Sequence, residues 1–252
     1  MVKYRSEWAN VPIKSKSAKY LKQLSNKREQ WEWWCEYTSQ KYDSATTEPL
    51  PPQFFNLERI KARENGWHPL LDYRQAFKDI IDGLVYRFGL EDKKLVTLDL
   101  GCLAGKWTQL LSEYSKEVIC VDVFDYGFKI IRERHKDIDC ELSFYLTSGD
   151  ELTGIKDNSV DLIFSIDSIN KDLPAGVYEA YFKEFSRVLS PWGFALIHLP
   201  KRLPEGKITQ IPDYEGGFFN LKKSCEINKL TLVGIDDLEL SNGEIFCIKK
   251  NL

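Results

Sequence analysis

Several things are scarce in this 252-residue chain, and each scarcity closes off a class of function. No apolar run approaches the ~18 residues that a bilayer-spanning helix needs, so none is expected. Only three histidines occur, His68, His135 and His198, widely separated and without any Cys-x-x-Cys pair. No metal site is therefore expected. The six cysteines, Cys35, Cys102, Cys120, Cys140, Cys225 and Cys247, are scattered, and several fall inside apolar, strand-like runs. That pattern suits reduced, buried thiols. The opening stretch "MVKYRSEWANVPIKSKSAKY" is basic but has no apolar centre of the kind a secretory signal requires. A cytoplasmic protein is the resulting expectation. A formal charge of −3 selects no acidic or basic partner.

What is present divides into two domains, 1–66 and 67–252. The first thirty residues hold 8 Lys and Arg against 2 Asp and Glu, a local +6 that leaves −9 on the remainder. "EQWEWWCEYTSQKYD" and the proline-bearing "SATTEPLPPQ" follow. From about residue 67 apolar strands alternate with helical patterns, the signature of βαβ units. "DYRQAFKDIIDGLVYRFG" places Phe77, Ile80, Ile81, Leu84 and Val85 on one helical face. Strands are predicted at "LVTLDL", "EVICVDV", "ELSFYLT", "VDLIFSI" and "GFALIHL", with helices from about Ala104, over 126–136, and over "AGVYEAYFKEFSRVL". A turn-rich loop follows at 200–217. A short helix and two strands joined at Ser241-Asn242-Gly243, a hairpin signal, close the chain. Near-continuous apolar strands suit a parallel sheet covered on both faces. The expected fold is α/β: a doubly wound, Rossmann-like, mainly parallel seven-stranded sheet with an antiparallel last strand, plus a helical N-terminal arm. Ligands of such sheets sit at the carboxyl ends of the strands, and Gly101, Asp122, Asp150, Asp167 and His198 all fall at or just beyond such ends.

The most specific stretch is the turn in "LVTLDLGCLAGKWTQLL". A dinucleotide fingerprint, G-x-G-x-x-G, is not met, because Leu103 and Lys106 occupy two of its glycine positions. A phosphate-binding loop is not met either, because Gly105-Lys106 is followed by Trp107 rather than Ser or Thr. Absence of a Tyr-x-x-x-Lys pair near strand four also disfavours a nicotinamide-dependent oxidoreductase. With Asp99, Gly101 and Gly105 in place, the turn resembles that of the class I S-adenosylmethionine-dependent methyltransferases, where glycine lets the backbone pass close under the cofactor. Leu103 stands where that family commonly has its middle glycine. Asp122 lies twenty-one positions beyond Gly101 at the end of strand two, where the resemblance implies a carboxylate on the ribose hydroxyls. Its alternative role is to cap the next helix. In "TSGDEL" the resemblance implies that Asp150 accepts from the adenine exocyclic amine; a solvated turn residue is the alternative. "DNSVDLIFSIDSIN" and "EAYFKEFSRVLSPWGFALIHL" resemble the fourth and fifth family blocks, so the likeness runs from about Val96 to Pro200. The implied cofactor is S-adenosylmethionine. Its implied contacts are Asp99, Gly101, Cys102, Leu103 and Gly105 after strand one, and Asp122, Val123 and Phe124 after strand two. Gly149, Asp150 and Glu151 follow strand three, and Ile166 and Asp167 strand four.

Methyl transfer is an in-line displacement in which positioning supplies much of the rate. The catalytic candidates are Asp167 and His198, the latter an imidazole at a strand terminus with a pKa range suited to a general base. Each has a plainer reading, Asp167 as a pocket wall and His198 as a buried strand residue. Enzymes of this class acting on nucleic-acid bases or glutamine carry an [N/D]-P-P-[Y/F] run after strand four. Here "SIDSINKD" stands there instead. The chain looks more like bacterial enzymes that methylate hydroxyls of small molecules and sugars, with Asp172 capping a helix rather than holding a metal. The acceptor is thus expected to be a small molecule or sugar. Nucleic acid is not expected, and a non-catalytic, methyltransferase-like binding module is the alternative.

The arm adds Trp31, Trp33, Trp34 and Tyr37 at helical spacing. Interleaved with basic residues, such a surface suits a single-stranded nucleic acid, a polyanionic glycan or a membrane face. A lid over the crevice or a homodimer contact is the preferred reading. Trp67, His68, Tyr73 and loop 200–217 are candidate acceptor walls.

Overall fold

The computed structural model describes residues 70–91, 94–103, 105–123, 125–147, 149–166, 168–169, 175–200, 210–212, 218–233 and 243–251. The aromatic arm, Trp67, His68, Phe124, Asp167 and Asp172 lie outside the described residues. Helix α1 (Leu70–Arg87) leads into strand β1 (Leu95–Leu100), short helix α2 (Thr108–Ser112), β2 (Ser115–Asp122) and α3 (Tyr126–Arg134). Then come β3 (Glu141–Leu146), β4 (Val160–Ser165), α4 (Ala175–Val188) and β5 (Leu189–Pro200). The chain closes with β6 (Gln210–Pro212), β7 (Phe218–Asn220), α5 (Leu221–Ile227), β8 (Leu230–Val233) and β9 (Gly243–Lys250).

Seven strands form one sheet in the order β3-β2-β1-β4-β5-β9-β8. β1 to β5 pair in parallel, and β9 runs antiparallel to both β5 and β8. This is the expected doubly wound architecture with its antiparallel last strand. Chain order reverses where β1 pairs with both β2 and β4, so the crevice opens at the carboxyl end of β1.

Strand alternation sorts the core into two layers. Leu98, Leu100, Val121, Ile163 and Ile197 pack with Tyr178, Phe182 and Phe185 of α4. Val118, Cys120, Phe164 and Leu196 pack with Phe77 and Ile81 of α1 and with Trp107. Trp107 meets Phe77 and Phe164 edge-on at centroid distances of 4.9 and 5.6 Å. The face expected of α1 is the one that packs: Phe77, Ile81 and Leu84 are buried, with Ile80 and Val85 partly so.

Two expectations are corrected. The helix after β1 begins at Thr108, not near Ala104, because Gly101, Leu103 and Gly105 all have positive φ and hold the turn out of the helical region. Within the segment read as a loop at 200–217, residues 210–212 form β6, which pairs with β7. These strands are too short for periodicity to register. Tertiary packing secures them, since Phe219 stacks on Tyr178 at 5.0 Å and packs on Phe182 at 5.1 Å. β8 and β9 are antiparallel as expected, although Ser241 and Asn242 lie outside the described residues.

One buried carboxylate supports the sheet's irregular end. Strand register shifts between Leu95 and Val96 and again between Val160 and Leu162. Asp161, 3% exposed, accepts from the Val96 N–H at 3.0 Å and the Ser190 hydroxyl at 2.8 Å. Asp161→Ala strands both donors in the core, and the expected cost is about 2–4 kcal/mol. Chemical denaturation checks this as a lowered midpoint with an unchanged denaturant slope.

Candidate functional site

The turn after β1 enters the left-handed region at three of its described residues. Gly101, Leu103 and Gly105 have φ of 78°, 44° and 77°. Two of these positions are glycines for reasons that lie within the protein. A Cβ on Gly101 would stand 2.1 Å from Cβ of Ser168, whose hydroxyl donates to the Leu100 carbonyl at 2.7 Å. A Cβ on Gly105 would stand 2.9 Å from both His135 Nε2 and Ile131 Cγ1. The sequence reading gave these glycines to a passing ligand, whereas the structure sets them against the segment after β4 and against α3.

His135 is the site residue that sequence reasoning missed. It is buried, and its Nε2 lies 2.9 Å from the Gly105 carbonyl, which can only accept, so Nε2 carries the proton. Nothing in the sequence signals a partnership between residues thirty apart.

Leu103 keeps the left-handed backbone without being glycine, at a cost of roughly 1–2 kcal/mol. Its N–H donates to Asp122 Oδ2 at 2.9 Å, which ties the turn to the end of β2. Its side chain is 46% exposed, while Cys102 and Gly105 beside it are buried. Asp122 is 5% exposed, and its carbonyl accepts from the Thr147 N–H at 2.9 Å, joining the ends of β2 and β3. The N–H groups of Gly101 and Cys102 both point to the Val121 carbonyl. Val123 and Ile166 are buried apolar neighbours of this strand-end surface.

Asp99 sits behind the turn, 2% exposed, and accepts from the Thr108 hydroxyl at 3.0 Å. Burial pushes its carboxyl up to about 7; the Thr108 hydrogen bond opposes this and the Asp122 charge adds to it. Burial likewise drives the Cys102 thiol above its usual range, helped by Cys120 and by the charges of Asp122 and Asp99, which makes it a packing residue.

Beyond β3, Gly149 (φ 104°) donates its N–H to Thr147 Oγ1 at 3.1 Å, and the Thr147 hydroxyl donates to the Glu151 carbonyl. Asp150 between them is half-buried. A cavity of about 100 Å³ opens beside Thr147 and Glu151, against Val121 and Tyr145. It is well short of the ~300 Å³ of an ordinary ligand pocket and is not by itself a nucleoside site. His198, opposite Ile245 of β9, is 1% exposed. By strand alternation it shares the face of Phe194 and Leu196, one residue beyond the last β4–β5 pair, Ser165 with Ile197.

The described part of the crevice thus brings Asp122, Leu103, Val123 and the 149–151 segment to adjacent strand ends. Two carboxylates beside exposed apolar surface suit a nucleoside, since carboxylates only accept and hydroxyls and amines donate. Among the described residues no group of three or more His, Cys, Asp and Glu is placed to hold a metal, and no helix is long and apolar enough to cross a membrane.

Comparison with known proteins agrees with this geometry. Residues 97–193, from β1 into β5, match the family model of a methyltransferase domain. An uncharacterized methyltransferase-like protein of Schizosaccharomyces pombe is 29% identical over 105 residues, 41% of this chain. That match spans only 38% of the yeast protein's length. A protein of Pyrococcus horikoshii has a crystal structure that superposes with a TM-score of 0.50 at 22% identity, over 78% of this chain and 93% of its own. An S-adenosylmethionine-dependent methyltransferase of Clostridium acetobutylicum superposes at 0.53 with 14% identity, over 69% of this chain and 90% of its own. At such identities the structures speak for the fold alone. The comparisons thus agree on a methyltransferase domain over residues 97–193, carried on a fold that these structures share.

Proposed function

We propose that this chain transfers a methyl group from S-adenosylmethionine to a hydroxyl of a small molecule or sugar. The observation that carries the reading is the turn after β1. It keeps left-handed backbone at Gly101, Leu103 and Gly105, and it is tied to the β2 carboxylate through the Leu103 N–H. When bound, S-adenosylmethionine supplies an electrophilic sulfonium methyl. The chain's own residues bind and orient it. Asp122 accepts from the ribose hydroxyls while its Oδ2 holds the turn, and Asp150 accepts from the adenine amine. Leu103 offers exposed apolar surface with Val123 and Ile166 buried beside it, and Asp99 and His135 keep the turn in shape from behind. Asp167 is the candidate beside the reacting centre. His198, being enclosed, is the candidate that needs the crevice to open before it can take a proton from an acceptor. The hydroxyl acceptor is supported by the lack of an [N/D]-P-P-[Y/F] run after β4. Residues 1–66 are proposed to form a lid over the acceptor or a contact between two copies.

A second reading, a non-catalytic binding module, draws on Leu103 alone, the bulky and strained residue in the glycine turn. Consumption of the methyl donor separates the two, and calorimetric titration of ligand-free protein with S-adenosylhomocysteine tests the cofactor site that the enzyme reading needs. Micromolar binding is expected, with a loss of about tenfold or more in Asp122→Ala, which removes a charged acceptor. Absence of binding in the parent and its recovery in Leu103→Gly would show that Leu103 closes the site and would overturn the enzyme reading.

The raised Asp99 carboxyl sets a pH dependence. Unfolded, the group titrates near the ordinary aspartate value of 3.8; folded, it titrates at about 7. Between these values the native state holds a proton that the unfolded state has released, so this group's contribution falls as pH rises, by about 1.4 kcal/mol per unit. Asp99→Asn, neutral at every pH and still able to accept from Thr108, is expected to match the parent below about pH 4 and to exceed its stability increasingly towards pH 7. Urea midpoints across that range test it, and parallel curves would sink the assignment.

A further inference from the structure

The segment that carries Asp150 is held from two sides. On the strand side Thr147 grips it, accepting from the Gly149 N–H and donating to the Glu151 carbonyl. On the helix side Glu184 and Arg187, an ion pair in the last turn of α4, hold it. Glu184 Oε2 accepts from the Leu152 N–H at 2.8 Å. Arg187 clasps Glu184 at 3.0 Å through Nε and at 2.7 Å through an outer nitrogen. The same guanidinium donates to the Leu152 carbonyl at 3.0 Å, to the Ile155 carbonyl at 2.8 Å and to Asp157 at 2.6 Å. Asp150 lies three residues after Thr147 and two before Leu152, on a stretch with no regular secondary structure of its own.

A guanidinium is planar and presents five donors in a fixed fork, so it sets both the distance and the orientation of what it holds. Here it joins both backbone groups of Leu152, one directly and one through Glu184, with a second carbonyl three residues on. The Arg187 side chain is 29% exposed and that of Glu184 15%, so water competes only in part. Pairing with Arg187 keeps the Glu184 carboxyl below its usual range, which maintains the charged acceptor that Leu152 needs. The Asp157 arm is 66% exposed and contributes least.

We propose that Arg187, acting through Glu184 and the Leu152 and Ile155 carbonyls, is the positioning residue that sets the Asp150 carboxylate and hence the preference for a 6-amino over a 6-oxo purine in the cofactor site. This rests on the reading of Asp150 as the acceptor of the exocyclic amine. A 6-oxo purine presents an acceptor where adenine presents a donor. A well-placed carboxylate rejects it, and a loosely held one discriminates poorly.

The test is the ratio of dissociation constants for S-inosylhomocysteine and S-adenosylhomocysteine, measured calorimetrically on the full chain. The parent is expected to favour the adenine compound by about tenfold or more. Arg187→Met is expected to reduce that preference to within about threefold in protein whose circular dichroism shows it folded, and Asp150→Ala to do the same. If Arg187→Met weakens both compounds equally and leaves the ratio unchanged, the residue is structural only and the proposal falls. Should Arg187→Met not fold, Arg187→Lys retains the charge on Glu184 but lacks the fork. An intermediate ratio then supports the proposal and a parental ratio overturns it. If Asp150→Ala leaves the preference intact, the Asp150 assignment fails and takes this inference with it. A parent that binds neither compound overturns the proposed function itself.

Discussion

The hydrogen bond from the Leu103 N–H to the Asp122 carboxylate is the contact on which the crevice depends. Parallel strands each deliver a chain end to the same edge of the sheet, but nothing in strand pairing fixes the turns that follow. The bond fixes the turn after β1 against the end of β2, and the Thr147 N–H on the Asp122 carbonyl carries the connection to β3. One aspartate thus registers three strand ends with its side chain and its backbone. A carboxylate used in this way is committed to geometry before any ligand arrives, which is the condition for recognition without costly reorganisation.

Strain and burial are concentrated in the same few residues. Leu103 holds a backbone conformation that a glycine would adopt freely, and the buried Asp99 keeps its proton to a higher pH than an exposed aspartate does. Both costs are met by the layers beneath. Phe77, Trp107 and Phe164 form an edge-to-face cluster on one side of the sheet, and His135 presses against Gly105 from α3. Local strain of this kind persists only where the surroundings over-determine it, and it collects at functional sites. The Arg187 clasp extends the logic to the far end of the crevice, where a loop without secondary structure gains its definition from a helix terminus.

Much of this was legible in the sequence, and the reason differs from one element to the next. Period-two and period-3.6 patterns follow directly from strand and helix geometry, so β1 to β5, α1 and α4 could be read off, as could the antiparallel last strand. Asp122 could be placed by its distance from Gly101 and its position at a strand end. β6 and β7, three residues each, fell below what periodicity can detect, and their existence depends on Phe219 finding Tyr178 and Phe182 on α4. The start of α2 was misplaced for a local reason: Leu103 reads as a helix former, yet it adopts a left-handed φ because the turn around it is fixed elsewhere.

By itself, then, the sequence determined where β1 to β5 lie along the chain and that they build a doubly wound, mainly parallel sheet, whose strand carboxyl ends are the expected ligand edge. These follow from local patterns and from chirality, which act along the chain. Only the tertiary structure decided that Gly101 and Gly105 are glycines for the sake of Ser168 and His135, that Asp99 stands behind the turn, and that His198 is enclosed. It alone brought Arg187 to the loop of Asp150. Those facts concern residues distant in sequence and adjacent in space, and no local pattern encodes a contact whose partners are chosen by packing.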